Sequence, residues 1–168
     1  MKFVCSSCGE EHDLAAISLG AHSPFQWGML SDEERAKSEL GEEQCVIESN
    51  DGKHFFIRGR LEVPIVGSTQ PFSWGVWCSL SEKSFLEMSE HWNDPSREKL
   101  GPYFGWLCTR LPGYPDTMYL KTHVHQQQVG LRPLVEVENS GHQLSVHQRG
   151  GIEPALMQSI VSQVLHGE

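Results

Sequence analysis

In two stretches near the middle of the chain, every second residue is apolar, with glycine counted as apolar. In residues 54–63 the apolar set is Phe55, Ile57, Gly59, Leu61 and Val63, and the opposite set is His54, Phe56, Arg58, Arg60 and Glu62. In residues 72–80 the corresponding sets are Phe72, Trp74, Val76, Cys78 and Leu80, and Ser73, Gly75, Trp77 and Ser79. This period is typical of an antiparallel strand that buries one face, so both stretches are predicted to be such strands.

Three segments carry helix signals. A capping box at Ser31 and Glu34 predicts a short helix that runs through Leu40. Ser81 is predicted to cap a second helix, and Pro154 to begin the last one. The apolar stripes of these two helices are Phe85, Met88 and Trp92, and Leu156, Met157, Ile160, Val161, Val164 and Leu165.

Shorter apolar runs predict four further strands. They cover residues 45–48, 103–111, 118–126 and 132–138. A turn at Val129 and Gly130 would join the last two as a hairpin. Its register would pair His123 with Glu136, and would keep apolar side chains together on the other face.

Strands that mostly follow one another, with three helices, predict an α+β fold. We expect a mostly antiparallel sheet of about five to six strands in a single domain spanning residues 1–168. Residues 14–30 and 139–151 show no clear period and are predicted to be loops. The domain would open with a Cys-x2-Cys knuckle at residues 2–13.

The net charge of −9 over 168 residues limits the classes of partner. No cluster of Lys and Arg offsets this charge along the sequence, which disfavours nucleic acid and anionic membranes as partners. No run of 18 apolar residues occurs, and no apolar leader precedes Cys5. Five cysteines, only two of them closely spaced, argue against a secreted disulfide framework. We therefore expect a cytoplasmic protein.

The knuckle is the most specific chemical motif. Cys5 and Cys8 have the spacing at which two thiolates hold one zinc ion, and His12 is a third candidate ligand. We expect a structural zinc site with Cys45 as the fourth ligand, or His22 in its place. A redox dithiol and unmetallated packed cysteines are the alternatives. The acidic residues Glu10, Glu11 and Asp13 would raise the thiol pKa values and oppose thiolate chemistry.

The polar faces of the predicted strands form a candidate ligand-binding surface. It would contain Arg58, Arg60, Trp77, His123, His125 and Glu136, with His54 at its margin. These residues offer hydrogen-bond donors, titratable groups and one large aromatic ring. The alternatives are a solvated face with cross-strand ion pairs and a second metal site at His123, His125 and Glu136.

Three classes of function are compatible with these features. The first is a non-enzymatic, zinc-stabilised binding module that engages an unknown protein or small ligand through the polar sheet face. The second is a hydrolase or transferase that uses His123, His125 or His142 with a carboxylate; common catalytic and phosphate-binding motifs do not occur in the sequence. The third is an acidic partner of a basic protein, in the manner of an immunity protein, as the net charge suggests.

Several motifs in order resemble a bacterial family, the domain of unknown function family numbered 2199. They are Cys5-Ser-Ser-Cys-Gly-Glu-Glu-His12, Phe56-Ile-Arg-Gly59, Trp74-Gly-Val-Trp-Cys-Ser-Leu-Ser81, Phe104-Gly-Trp-Leu107, Leu120-Lys121 and Arg132-Pro133. The resemblance runs from about Phe3 to Gly151 and implies a small bacterial cytosolic protein, with no activity attached. It points to Cys5, Cys8, His12, Arg58 and Trp77 as residues to test.

Overall fold

A computed structural model describes residues 1–14 and 16–167. The strands are β1 (Lys2–Val4), β2 (Glu11–Asp13), β3 (Ser18–Gly20), β4 (Glu39–Leu40), β5 (Gln44–Ser49), β6 (Gly52–Val63), β7 (Phe72–Leu80), β8 (Tyr103–Leu107), β9 (Lys121–His125) and β10 (Leu134–Val137). The α-helices are α1 (Asp32–Lys37), α2 (Glu82–Glu90), α3 (Gln143–Gly150) and α4 (Pro154–His166), with 3-10 turns at Phe25–Met29 and Arg97–Lys99. No helix among the described residues is both long and apolar enough to cross a membrane.

Five strands close into a barrel in the order β6-β7-β8-β9-β10. All pairs in it are antiparallel except the closing one, where β10 lies parallel to β6 at Leu134 and Arg60. The first half of β6 also pairs with β5, and the first half of β7 pairs with β3. The prediction of an α+β fold with a mostly antiparallel sheet is confirmed. The described residues form ten strands, where five to six were predicted, and four helices, where three were predicted. The additional strands have two or three residues each, which is too short to show a period.

The apolar set of each alternating strand points into the barrel. Ile57, Leu61 and Val76 are fully buried there, and Val124 and Val135 meet them from β9 and β10. The predicted hairpin register of β9 and β10 is confirmed, because His123 pairs with Glu136 and Val124 with Val135. Within the hairpin, alternation alone was therefore enough to fix which side chains face inward.

Trp77 does not lie on an open polar face as predicted. It is fully buried in a second apolar cluster on the outer side of the sheet, with Cys45, Ile47, Phe56 and Cys108. Residues 21–30 cover this cluster, and the Trp77 indole N–H donates to the Ala21 carbonyl over 3.1 Å. The covering segment lies some fifty residues earlier in the chain, so the local alternation around Trp77 gives no sign of it.

Three further predictions need correction. The first helix ends at Lys37 instead of Leu40, because residues 39–40 pair with β5. Residues 139–151 are not all loop, since α3 forms there with the His142 ring accepting from the Leu144 N–H at its N-cap. In α4, Leu156 and Leu165 are exposed, while Met157, Ile160 and Val161 form the buried stripe.

We expect Trp77→Phe to lower the free energy of unfolding by about 1–3 kcal/mol, because it leaves the Ala21 carbonyl unpaired and opens a small void. Urea unfolding measures this. Trp106→Phe is the matched control, since that ring is 40% exposed and its change should stay within about 0.5 kcal/mol. Equal effects of the two substitutions would contradict the structural role given to Trp77.

Candidate functional site

Four side chains converge where the first hairpin meets the last helix. The Sγ atoms of Cys5 and Cys8 and one ring nitrogen each of His12 and His166 all lie within 4.8 Å of one another. Cys5 Sγ is 3.3 Å from His166 Nε2, and Cys8 Sγ is 3.3 Å from His12 Nε2. Donor atoms around a tetrahedral zinc ion stand about 3.3–3.8 Å apart, as bond lengths of about 2.0–2.3 Å require. This group could hold a metal ion.

The hairpin β1–β2 places three of these donors. Phe3 pairs with His12 across the hairpin, and Phe3 is its buried anchor. The connecting turn is closed by a bond from the Gly9 N–H to the Cys5 carbonyl of 2.8 Å. Gly9 has a φ of +74°, which favours glycine. The turn therefore brings Cys8 back towards Cys5 and His12.

The fourth donor comes from the end of α4. The buried stripe of this helix packs on the barrel, and Ile160 lies against the turn that contains Gly113. A Cβ at Gly113 would overlap the Ile160 side chain, so glycine at this position allows the close approach. Docked in this way, α4 carries His166 to the knuckle.

Hydrogen bonds around Cys5 favour its thiolate, the form of the side chain that a metal ion would require. The Cys5 side chain is 1% exposed, and its Sγ is 3.4 Å from the Ser162 hydroxyl, one turn before His166. This hydroxyl, with the backbone N–H groups of Cys8 and Ser7, lowers the pKa of Cys5 to about 6 against the opposing effect of burial.

The expectation that nearby acids would raise the thiol pKa values was wrong for Cys5. Two of those acids have cationic partners of their own. Glu11 pairs with Lys2 at 2.8 Å, and Asp13 pairs with the Met1 amine at 2.7 Å.

Cys45 does not join the knuckle. It lies in the second apolar cluster, where burial raises the pKa of its thiol to about 12. His166 stands in the place that we expected Cys45 or His22 to take. The sequence offers one weak signal for it, a histidine in the last turn of a helix whose opposite face is apolar. That signal does not say what the helix packs against.

A cavity of about 620 Å³ lies between residues 25–30 and the outer face of the sheet. Its floor includes Ile47 and Phe56, and its rim includes Met29, Trp106 and Tyr119. The rim residues are 72%, 40% and 57% exposed, so large apolar side chains face water here. Gln26, Glu34, His54, Ser49 and Ser79 supply polar groups.

Tyr119 is held at the cavity mouth in an uncommon backbone conformation. Its φ is +62°, which costs an L-residue about 1–2 kcal/mol. Its N–H donates to the Leu107 carbonyl over 2.7 Å, and Gln26 Nε2 donates to its hydroxyl over 3.4 Å. Strain that is held by its surroundings is common at binding sites.

A family model described as an uncharacterized protein conserved in bacteria (DUF2199) matches residues 4–152. The chain belongs to this family. The matched range contains Cys5, Cys8 and His12 but ends before α4, so the fourth donor lies outside it. Comparison with curated proteins and with solved structures finds no match.

In this DUF2199 protein the predicted polar face is divided into separate parts. His125 pairs with Glu136 at 3.1 Å, and His123 lies 3.6 Å from Glu138, on the outside of β9 and β10. Arg149 of α3 adds a contact of 3.3 Å to Glu136. These groups are all partly or fully exposed and serve as partners for one another.

The two arginines of the predicted face lie on a different part of the barrel from its two histidines. Arg58 pairs across the sheet with the buried Trp77. Arg60 and His125 both pair with Leu134, so one strand stands between them. The six predicted ligand-binding residues are thus not brought to one cleft.

If the four donors hold a metal ion, we expect His166→Ala to weaken metal binding by tenfold or more, because it removes one of the four. Cys45→Ala is the matched control and should retain full affinity. Titration with Co²⁺, whose visible absorption reports tetrahedral thiolate coordination, measures both. If Cys45→Ala alone lost metal affinity, the ligand set would instead be the one expected from the sequence, with Cys45 as the fourth ligand.

Proposed function

We propose that this DUF2199 protein is a zinc-stabilised, non-enzymatic binding protein of the bacterial cytoplasm. The zinc ion would be structural and would fasten the first hairpin to the last helix. The observation that carries this is the convergence of Cys5, Cys8, His12 and His166, whose donor atoms lie within 4.8 Å of one another.

The donor set favours zinc over other common metals. Two thiolates and two imidazoles in a compact group suit a tetrahedral ion of borderline softness. Calcium and magnesium prefer oxygen donors, and none belongs to this group. The lowered pKa of Cys5 supports the same assignment, because a thiolate is the ligand that zinc requires.

A structural role follows from the number of ligands. Four protein donors fill a tetrahedral shell, whereas catalytic zinc keeps a position for water or substrate. The hairpin also needs support, since β1 and β2 have three residues each and a two-stranded hairpin alone is marginal in water. An ion shared with α4 would supply that support.

The cavity beside Tyr119 is the binding surface that we favour. Its volume of about 620 Å³ lies within the usual range for small-ligand sites, and its lining combines apolar side chains with a few polar groups. The histidine face of β9 and β10 is a weaker candidate, because His123 and His125 already have carboxylate partners there.

We expect the purified protein to contain about one equivalent of zinc, and Cys5→Ser to lose it. At zinc concentrations near a thousand times Kd, binding to the folded state alone contributes about 4 kcal/mol. The melting temperature of Cys5→Ser should therefore fall by roughly 10 °C. Elemental analysis and calorimetry measure the two effects.

Ser6→Ala provides the control for this experiment. Ser6 lies exposed in the same turn and does not belong to the donor group. Its substitution should therefore change neither the zinc content nor the melting temperature. Purified wild-type protein that contains no zinc, together with an unchanged melting temperature in Cys5→Ser, would end the zinc proposal.

We expect the cavity to bind the neutral apolar dye Nile red, with an increase in its fluorescence. Met29→Asp should weaken this binding by about tenfold, because a carboxylate at the rim must be desolvated. Leu86→Asp on α2 introduces the same charge at another exposed apolar site and should leave binding unchanged. Equal affinity in both variants would place the dye elsewhere.

A further inference from the structure

A polar cleft of about 490 Å³ lies beside the closing pair of the barrel, where β6 meets β10. Its lining includes Ser18, Glu43, Arg60, Trp92, Arg97 and Arg132, and we call it the arginine cleft. Three of the thirteen cationic side chains of an acidic protein thus share one concave surface.

Arg97 is the most unusual of these residues, because it is a cation that is 1% exposed. Its guanidinium donates to the carbonyls of Trp92, Gln127, Gln128 and Leu131 at 2.6–2.9 Å, and it stacks on the Trp92 ring at 5.0 Å. Among the described residues Arg97 forms no ion pair, whereas Arg132 and Arg149 both pair with glutamates. A buried charge normally has an anionic partner.

Arg60 supplies a second observation. Its Nε is buried and has no hydrogen-bond partner among the described residues, while its Nη2 contacts Glu62 at 2.8 Å. Buried N–H groups are rarely left without an acceptor, since doing so costs about 1–3 kcal/mol. The Arg60 side chain as a whole is 43% exposed, so an oxyanion in the cleft can reach its guanidinium group.

The carboxylates around the cleft contact two of its three arginines. Arg132 is matched by Glu43, with three N–H to carboxylate contacts between 2.7 and 3.1 Å, and it also lies 3.9 Å from Glu42. Arg60 is partly matched by Glu62. Arg97 is left without a carboxylate partner among the residues that the structure describes. Three arginines and three glutamates bring the formal charge at the cleft close to zero, in a protein whose net charge is −9.

We propose that the arginine cleft binds the phosphate or carboxylate group of a small molecule. Arg60 would donate to the oxyanion directly, and Arg97 would supply positive charge from the buried wall. Guanidinium groups suit both classes of oxyanion, because their planar N–H donors match the spacing of two oxygen atoms. The volume of the cleft leaves room for more than the anionic group. This site is independent of the zinc centre and of the apolar cavity.

The carbonyl contacts of Arg97 also hold residues 127–131 in place, and that role alone requires no ligand. Glu62 separates the two cases, because it competes with a bound oxyanion for Arg60. Glu62→Gln should strengthen oxyanion binding, whereas a set of purely structural arginines would show no such gain.

The test is titration with inorganic phosphate and, separately, with succinate, followed by NMR at the arginine Nε–H signals and run against chloride at matched ionic strength. We expect saturable shifts at Arg60 and Arg97 with at least one of the two anions. Arg60→Gln should weaken that binding by tenfold or more, as loss of a charge-assisted hydrogen bond implies. Glu62→Gln should tighten it several-fold.

Two control variants match these changes in charge. Lys83→Gln removes an exposed cation of α2, and Asp51→Asn removes an acid at the turn before β6, about 30 Å along that strand from Arg60. Neither should alter the affinity. Shifts that fail to saturate with both anions, or that are the same in Arg60→Gln and Lys83→Gln, would overturn the proposal.

Discussion

Nine consecutive backbone pairs join β6 and β7, from Phe55 with Leu80 to Val63 with Phe72. Because side chains alternate along a strand, this register fixes which residues of both strands face the barrel interior. A slip of one residue would turn Ile57 and Leu61 outward and bring Arg58 and Arg60 into the core. The cost of burying two guanidinium groups makes such a slip prohibitive.

The outer face of the same strand pair is divided along its length. Around Phe56 and Trp77 it is apolar, and residues 21–30 cover it to form the second cluster and one wall of the cavity. Around Arg60 it is charged, and the segment anchored by Arg97 lies beside it to form the arginine cleft. Both candidate binding surfaces thus form where a segment remote in sequence lies against the outer face of β6.

The features that could be predicted from the sequence are those that depend on residues close together in the chain. Alternation placed the strands of residues 54–63 and 72–80 and the register of His123 with Glu136, because those features depend on neighbours in the chain. Closure of the barrel has a single parallel residue pair, Leu134 with Arg60, and a pair of this kind leaves no periodic signal.

The sites themselves were less predictable, since each depends on a segment remote in sequence. Trp77 looked exposed because the residues that cover it come from an earlier loop. Cys45 looked like a zinc ligand because it begins the first strand predicted after the first helix. The structure instead turns it into the second cluster, and α4 brings His166 to the knuckle.

The contact between Cys5 and His166 joins residues 161 positions apart. Ordering a contact of this separation costs chain entropy, and the short β1–β2 hairpin buries few side chains that would offset it. Ser162 reduces part of the cost, because the helix face that docks His166 also presents the hydroxyl that stabilises the Cys5 thiolate. A metal ion held by both elements would then make their docking cooperative, so that the hairpin and the end of α4 order together or not at all.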